Sequence, residues 1–174
     1  RLCLELYQKQ RTYINFAEVQ LRPWQADLLE KMKVPTNREV IWVEGRKGNE
    51  GKTRFQSYVQ SLYGFERVVR LDIRAKQQDI LHALTKRPLT NADVFLFNMP
   101  RSFGEIKECC YTAIEGIKDG YATSMKYHTT PIQFKTPNVV VVFSNELPIT
   151  KRLSKDRWCV FDIKENLVNV KFAT

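Results

Sequence analysis

Hydrophobic residues fall along this chain in two rhythms. Near the amino end the spacing is helical. Leu2 and Leu6 stand one turn apart in "LCLELYQKQRTY", and "RPWQADLLEKMK" opens with Pro23 near a first-turn position, where its missing N–H costs nothing. Pro35 ends that helix in the turn "VPTNRE". From there short Val/Ile/Phe-rich runs alternate with helical stretches. "EVIWVE" (Glu39 to Glu44) predicts a strand and "KTRFQSYVQSLYG" a helix, and "RVVRLDI" and "KQQDILHALTK" repeat the pair. "DVFLFNM" predicts a third strand, followed by the helix "FGEIKECCYTAIEGIKDG", which Gly120 stops; "NVVVVFSN" and "RWCVFDI" are the fourth and fifth strands. Buried strands alternating with helices predict an α/β fold with a mainly parallel sheet of five strands covered on both faces. One segment, "YATSMKYHTTPIQFKTP" (Tyr121 to Pro137), has no helical period. It predicts a β-hairpin projecting from the fold, with a plain surface connection as the alternative.

The length of 174 residues suits one domain, and 43% hydrophobic with 27% charged residues is ordinary for a soluble globular protein. No apolar run approaches the roughly 20 residues of a membrane-spanning helix. The amino end "RLCLELYQKQ" is too short and too mixed in charge for a signal peptide, so neither membrane insertion nor secretion is expected. A first residue of Arg1 rather than methionine suggests a piece cut from a longer protein, or a processed one. Charge is more telling: 28 Lys and Arg against 19 acids leave +9, which suits a polyanionic partner, nucleic acid ahead of an acidic membrane face. A basic surface kept for solubility is the plainer alternative. Cys3, Cys109, Cys110 and Cys159 form no Cys-x-x-Cys pair and have only His82 and His128 for company, so they read as reduced thiols rather than a zinc site.

The chemistry concentrates at "WVEGRKGNEGKT" (Trp42 to Thr53), between a predicted strand and a predicted helix. A phosphate loop has a glycine, four residues, then Gly-Lys-Ser/Thr. Here Arg46 stands where the first glycine belongs, and Gly45 comes one residue early. Gly45, Gly48 and Gly51 still supply the backbone freedom that a cradle of N–H groups needs. In that reading Asn49 and Glu50 belong to the phosphate-binding loop, Lys52 reaches the β- and γ-phosphates, and the Thr53 hydroxyl binds Mg²⁺. The alternative is a strand–turn–helix with a surface lysine. The strand "VFLFNM" should end in an acid that holds Mg²⁺ through water, but its polar residue is Asn98, an acceptor without charge that could simply cap the next turn. Asn145, ending "VVVVFSN", is placed to bridge the γ-phosphate and the attacking water, or to make a turn. Arg157 is either a partner of Asp156 or an arginine finger for a neighbouring subunit, which requires an oligomer. Lys126, Tyr127 and His128 interleave cations with an aromatic ring. They suit single-stranded DNA by phosphate contact and base stacking, or form a solvated loop. Glu44, Glu50 and Asp93 are all open as the residue that activates water.

In order, "RPWQ", "GRKGNEGKT", "FNMPRS", "KDGYATSMKYH", "VVFSNELP" and "LSKDRW" resemble the superfamily 3 helicase region of Rep proteins from small viruses and plasmids with circular single-stranded DNA, most of all those of nanoviruses and alphasatellites. The resemblance runs from about Arg22 to Ile163. It implies an AAA+-like P-loop NTPase with ATP and Mg²⁺ at the subunit interfaces of a hexameric ring, and single-stranded DNA threaded through the centre with 3′-to-5′ unwinding. Gly45 to Thr53 match its Walker A loop, Asn98 its Walker B acid, Asn145 its motif C asparagine, Lys126 to His128 its pore hairpin and Arg157 its proposed finger. It further implies that residues 1–20 are a helical oligomerisation segment, part of a collar, and that 21–174 are the helicase/ATPase domain. Two departures stand out. Asp is usual where Asn98 stands, which makes slow hydrolysis, or ATP binding that only assembles the protein on DNA, the alternative function. The His-hydrophobe-His and Tyr-x-x-Lys motifs of the family's nicking endonuclease are absent, so that domain is expected on the N-terminal side of the full-length protein and no nicking is expected here. A small nucleoside kinase would need neither the +9 charge nor the Lys-Tyr-His hairpin. The place of action would be a eukaryotic host's nucleus, or the cytoplasm for a bacterial plasmid.

Overall fold

The computed structural model describes residues 19–72, 77–99, 107–164 and 167–172. The expected oligomerisation segment at residues 1–20 lies almost wholly outside them. Helix α1 (Pro23–Met32) starts on Pro23, and the Gln25 side chain accepts a hydrogen bond from the Arg22 N–H at 2.9 Å, satisfying a donor at the helix entrance. Trp24, Leu28 and Met32, spaced by whole turns, bury its inner face. Strand β1 (Val40–Glu44) leads through the glycine loop to α2 (Lys52–Tyr63), and β2 (Val68–Asp72) precedes α3 (Gln77–Thr85). Strand β3 (Val94–Asn98) and α4 (Lys107–Asp119) follow, then the hairpin β4 (Tyr121–Ser124) and β5 (Thr130–Gln133), then β6 (Val139–Ser144), β7 (Trp158–Lys164) and β8 (Leu167–Phe172).

The main sheet has six strands in the order β2-β3-β6-β1-β7-β8. The first five named are parallel, as expected. The sixth was not expected: β8 runs antiparallel to β7 at the sheet edge. Its sequence "LVNVKF" alternates apolar and polar residues, the mark of an edge strand, and it stands outside the strand–helix rhythm because a tight return needs no crossover helix. The chain is an α/β protein whose strand order places β6 between the loop-bearing β1 and β3, consistent with a P-loop-like NTPase fold.

Strand parity sorts the core into two layers. Val40, Trp42, Phe95, Phe97, Val140, Val142, Trp158 and Val160 face α3, α4 and the hairpin residues Ile132 and Phe134. Ile41, Val43, Val94, Leu96, Val141, Phe143, Cys159 and Phe161 face α1 and α2. Both faces are apolar, so the alternation that would show in a half-exposed sheet is hidden in these runs. On the first layer Trp42 stacks on Tyr111 with centroids 5.9 Å apart, and Trp158 meets both edge-on. The polar ends of this cluster hold the segment after β6. Trp42 Nε1 donates to Glu146 O at 2.8 Å, Trp158 Nε1 to Thr150 O at 2.9 Å, and Ile149 N to the Tyr111 hydroxyl at 2.9 Å. That segment starts at Asn145, so the aromatic cluster fixes a candidate site residue.

Lys118, in the last turn of α4, is 2% exposed and donates to Asn138 O at 2.5 Å. Burial pulls its ammonium from the ordinary 10.5 down to about 8, against the attraction of Glu39. The unfolded chain therefore binds more protons than the folded one between pH 8 and 10.5, and stability rises with pH across that window. The expected gain is of order 1–2 kcal/mol. Urea unfolding at pH 7.5 and 10 should show it, and Lys118→Met should flatten it. An equal rise in the variant would place the titration elsewhere.

Candidate functional site

The loop from Gly45 to Gly51 carries three left-handed residues: Gly48 at φ 76°, Asn49 at 52° and Gly51 at 83°. Glycine adopts this conformation freely and asparagine tolerates it better than most. Successive turns of this kind aim backbone N–H groups into a concave nest. Gly45 is closely approached by a side chain rather than held in a left-handed conformation. A Cβ there would come within 2.0 Å of Glu50 Oε2, because Glu50 folds back inside the loop and is only 9% exposed.

Lys52 opens α2 with its ammonium at the centre of the loop. Its Nζ donates to Gly45 O at 2.5 Å, Asn145 Oδ1 at 2.9 Å, Glu50 Oε2 at 3.1 Å and Ser144 O at 3.2 Å. Gly45 N also donates to Ser144 O at 3.0 Å, tying the loop to the end of β6. Eight residues singled out in the sequence meet here: Gly48, Asn49, Glu50, Gly51, Lys52, Thr53, Asn98 and Asn145 line one cavity of about 480 Å³, at the C-terminal ends of β1, β3 and β6. Ligands of open α/β sheets bind outside these strand ends.

A second cavity, about 340 Å³, abuts the loop between Leu21, Arg22, Gln25, Arg54, Phe55 and Tyr58. Arg22 Nη1 donates to Asn49 O at 3.1 Å and Gln25 Nε2 to Gly51 O at 3.2 Å. The "RPWQ" segment therefore braces the glycine loop through its backbone carbonyls, a role no local pattern reveals because the partners are 26 and 27 residues apart.

Asn98 does not stand alone. Its Nδ2 donates to Asp72 Oδ1 at 2.9 Å, and the two residues are in register at the ends of β3 and β2. Asp72 was not among the candidates. The signal was the acid near the end of "RVVRLDI", legible only by comparing strand ends across the sheet. Each of the three acids left open for activating water already has a cationic partner, and only Asp93 lies away from the cavity, which Glu50 itself lines. Glu44 is buried and bound by Arg46 Nε at 2.5 Å, Glu50 is engaged with Lys52, and Asp93 precedes β3 at the other end of the sheet, held by Arg67 at 2.8 Å.

Arg157 and the hairpin are not brought to the cavity. Arg157 immediately precedes β7, whose Trp158 pairs with Val40 at the start of β1, so it lies at the end of the sheet opposite the loop. It is 4% exposed, its Nη2 donates to Asp119 Oδ1 at 2.6 Å, Glu115 lies 3.7 Å from its Nε, and Nη1 has no hydrogen-bond partner. Its partner is not Asp156. That carboxylate binds Arg38, which holds it well below the usual carboxylate range. The segment from Tyr121 to Pro137 does form a hairpin, β4 paired antiparallel with β5, but it lies against the fold instead of projecting from it, since Ile132 and Phe134 are buried in the core. Its tip rests on α3: Lys126 bonds to Asp79, Tyr127 meets His82 edge-on at 5.2 Å, and Met125 N donates to Gln78 Oε1 at 2.6 Å. Tyr127, in the left-handed region at φ 65°, is 77% exposed with Lys126 Nζ 5.5 Å from its ring, and His128 is exposed beside it. Cys110 and Cys159 are buried free thiols, and burial pushes Cys159 up to about 11. Among the described residues no helix is long and apolar enough to cross a membrane, and no group of three or more His, Cys, Asp or Glu could hold a metal ion by itself.

No protein-family model matches the chain. Individual relatives do. The chain is 33% identical over 139 residues to Para-Rep C6 of Subterranean clover stunt C6 alphasatellite, covering 79% of this chain and 46% of that protein. It is 33% identical over 144 residues to Para-Rep C1 of Faba bean necrotic yellows C11 alphasatellite, covering 82% and 48%. The master replication protein of Faba bean necrotic yellows virus is 31% identical over 149 residues, covering 86% and 48%. The chain thus spans about half the length of the relatives it matches. A solved structure, the apo C-terminal region of NrS-1, aligns over 80% of this chain and 32% of its own with a TM-score of 0.43 and 12% identity, a likeness too slight to bear on function. The chain is a homologue of alphasatellite Para-Rep proteins and nanovirus master replication proteins.

Proposed function

We propose that this chain is the ATP-dependent DNA helicase module of a rolling-circle replication initiator, hydrolysing ATP between subunits of a hexameric ring and moving 3′ to 5′ on single-stranded DNA. The observation that carries the reading is the single cavity lined by Lys52, Thr53, Asn98 and Asn145 beside a loop rich in left-handed residues, in a homologue of replication proteins. Gly48 to Gly51 and the amino end of α2 would receive the phosphates, with the base in the cavity of Phe55 and Tyr58. Lys52 would exchange Glu50 and Asn145 for phosphate oxygens, freeing the Asn145 amide to orient the attacking water. The hydroxyl and amide oxygens of Thr53 and Asn98 fit Mg²⁺, a hard cation that takes oxygen ligands and often keeps its waters. When bound it neutralises charge on the phosphates. Arg157 is too far from its own loop to serve it, so its phosphate would be a neighbour's, and reaching it would require leaving Asp119 and Glu115. In this reading the protein works joined to a nicking domain, in a eukaryotic host's nucleus.

The test is phosphate release with and without a short single strand, alongside native mass spectrometry. The expected result is stimulation by DNA and an ATP-dependent ring of six. A second reading, ATP binding that assembles the protein on DNA with little hydrolysis, is favoured by the uncharged Asn98. A single-turnover experiment that shows tight ATP binding without phosphate release selects it.

A further inference from the structure

Asn98 leaves the β3 end without the charge that a metal-bound water would need, and the adjacent strand supplies a carboxylate at the same level. Parity puts both on one face. Val68 of β2 and Val94 and Leu96 of β3 pack in the layer under α2, so Asp72 and Asn98, an even number of residues further along, point to that same side. This is the side on which α2 begins with Lys52 and Thr53. A second contact ties β2 to the first turns of α2: Arg70 Nη1 donates to Ser57 Oγ at 3.0 Å, and Ser57 Oγ donates to Thr53 O at 3.3 Å. Because Nδ2 of Asn98 is engaged by Asp72 at 2.9 Å, its Oδ1 is turned away from Asp72, while the residue itself lines the 480 Å³ cavity.

We propose that Asp72 is the site's acid, transposed from β3 to the neighbouring strand. It supplies the negative charge for the Mg²⁺ of a bound nucleoside triphosphate, acting through the water shell and through the Asn98 amide that it orients. Asp72 is thus a positioning residue, and the inference rests on the nucleotide reading above. It accounts for an asparagine at the expected acid position without loss of the site's charge. A carboxylate one strand away, about 5 Å across the sheet, lies within the reach of an outer-sphere water.

The test measures the affinity of a fluorescent ATP analogue in Mg²⁺ and in EDTA, together with the Mn²⁺ electron paramagnetic resonance spectrum of the ATP complex. Four proteins are compared: wild type, Asp72→Asn, Asn98→Asp, and the exchange Asp72→Asn with Asn98→Asp. Wild type should gain affinity with Mg²⁺. Asp72→Asn should lose about 10-fold or more of metal affinity while its affinity in EDTA stays unchanged. The exchange should restore the Mg²⁺ gain and the Mn²⁺ signal, which a merely structural role for Asp72 would not do. An Asp72→Asn protein with the full Mg²⁺ gain overturns the inference. So does a folded exchange variant, checked by thermal midpoint, that recovers nothing. If wild type binds no nucleotide in either medium, the nucleotide reading fails as well, whereas binding that depends on Lys52 but not on Asp72 removes only this inference.

Discussion

If the chain is the ATPase proposed, Lys52→Ala should lower ATP turnover by about a hundredfold to a thousandfold, the cost of removing one preorganised donor from a site of developing charge. The geometry adds a second effect that must be separated from the first. In the free protein Lys52 Nζ neutralises Glu50 at 3.1 Å, and Glu50 is largely buried inside the loop. Removing the lysine leaves a buried carboxylate without its cation, so the variant should also lose stability. Glu50→Gln in the same chain should recover the thermal midpoint and recover none of the turnover. Equilibrium unfolding beside phosphate release separates the two. If Lys52→Ala with Glu50→Gln is both stable and as active as wild type, the loop is not a phosphate site. In the nucleotide reading Glu50 would hold Lys52 in place before a nucleotide arrives, and the phosphates would have to displace it.

The strand–helix rhythm was legible because each buried strand is a short block of Val, Ile and Phe bounded by turn residues, and those blocks became the five parallel strands. β8 was not, because a single alternating segment after the last parallel strand has no helix beside it to announce it. The loop was legible from its glycines and its place between strand and helix, and Asn145 from its place at a strand end, where Lys52 meets it at 2.9 Å. Register was not legible. Which strands neighbour one another decides that Asp72 faces Asn98, and the chain order of β2, β3 and β6 alone does not say so. Long-range side-chain choices were hidden for the same reason. Asp156 takes Arg38 and leaves its chain neighbour Arg157 to Asp119, a pairing 38 residues apart. Arg22 and Gln25 likewise find the loop only after α1 has packed beside α2.

The second large effect belongs to the hairpin, where the substitutions should act in opposite directions. Lys126→Ala with Tyr127→Ala should weaken single-stranded DNA binding by about 10- to 100-fold at low salt, chiefly through the lost stacking surface, and leave ATP affinity unchanged. Tyr127 is free for that role, since its ring is mostly exposed and only its edge contact with His82 ties it to α3. Lys126 is not free: Asp79 holds it and raises its pKa, chiefly through their hydrogen bond. DNA must compete with that carboxylate for the ammonium. Asp79→Asn should therefore tighten DNA binding by a few-fold, and should steepen the dependence of log K on log salt by about 0.7 for the one additional phosphate contact. Fluorescence anisotropy of a labelled oligonucleotide over a range of salt reads both quantities. The opposite signs are the discriminating feature, because a hairpin that needs its contact with α3 in order to fold would lose affinity in both variants. If Asp79→Asn binds DNA as weakly as the Lys126 and Tyr127 variant, the contact with α3 is structural; if neither variant changes the affinity, the DNA-binding surface lies elsewhere on this basic chain.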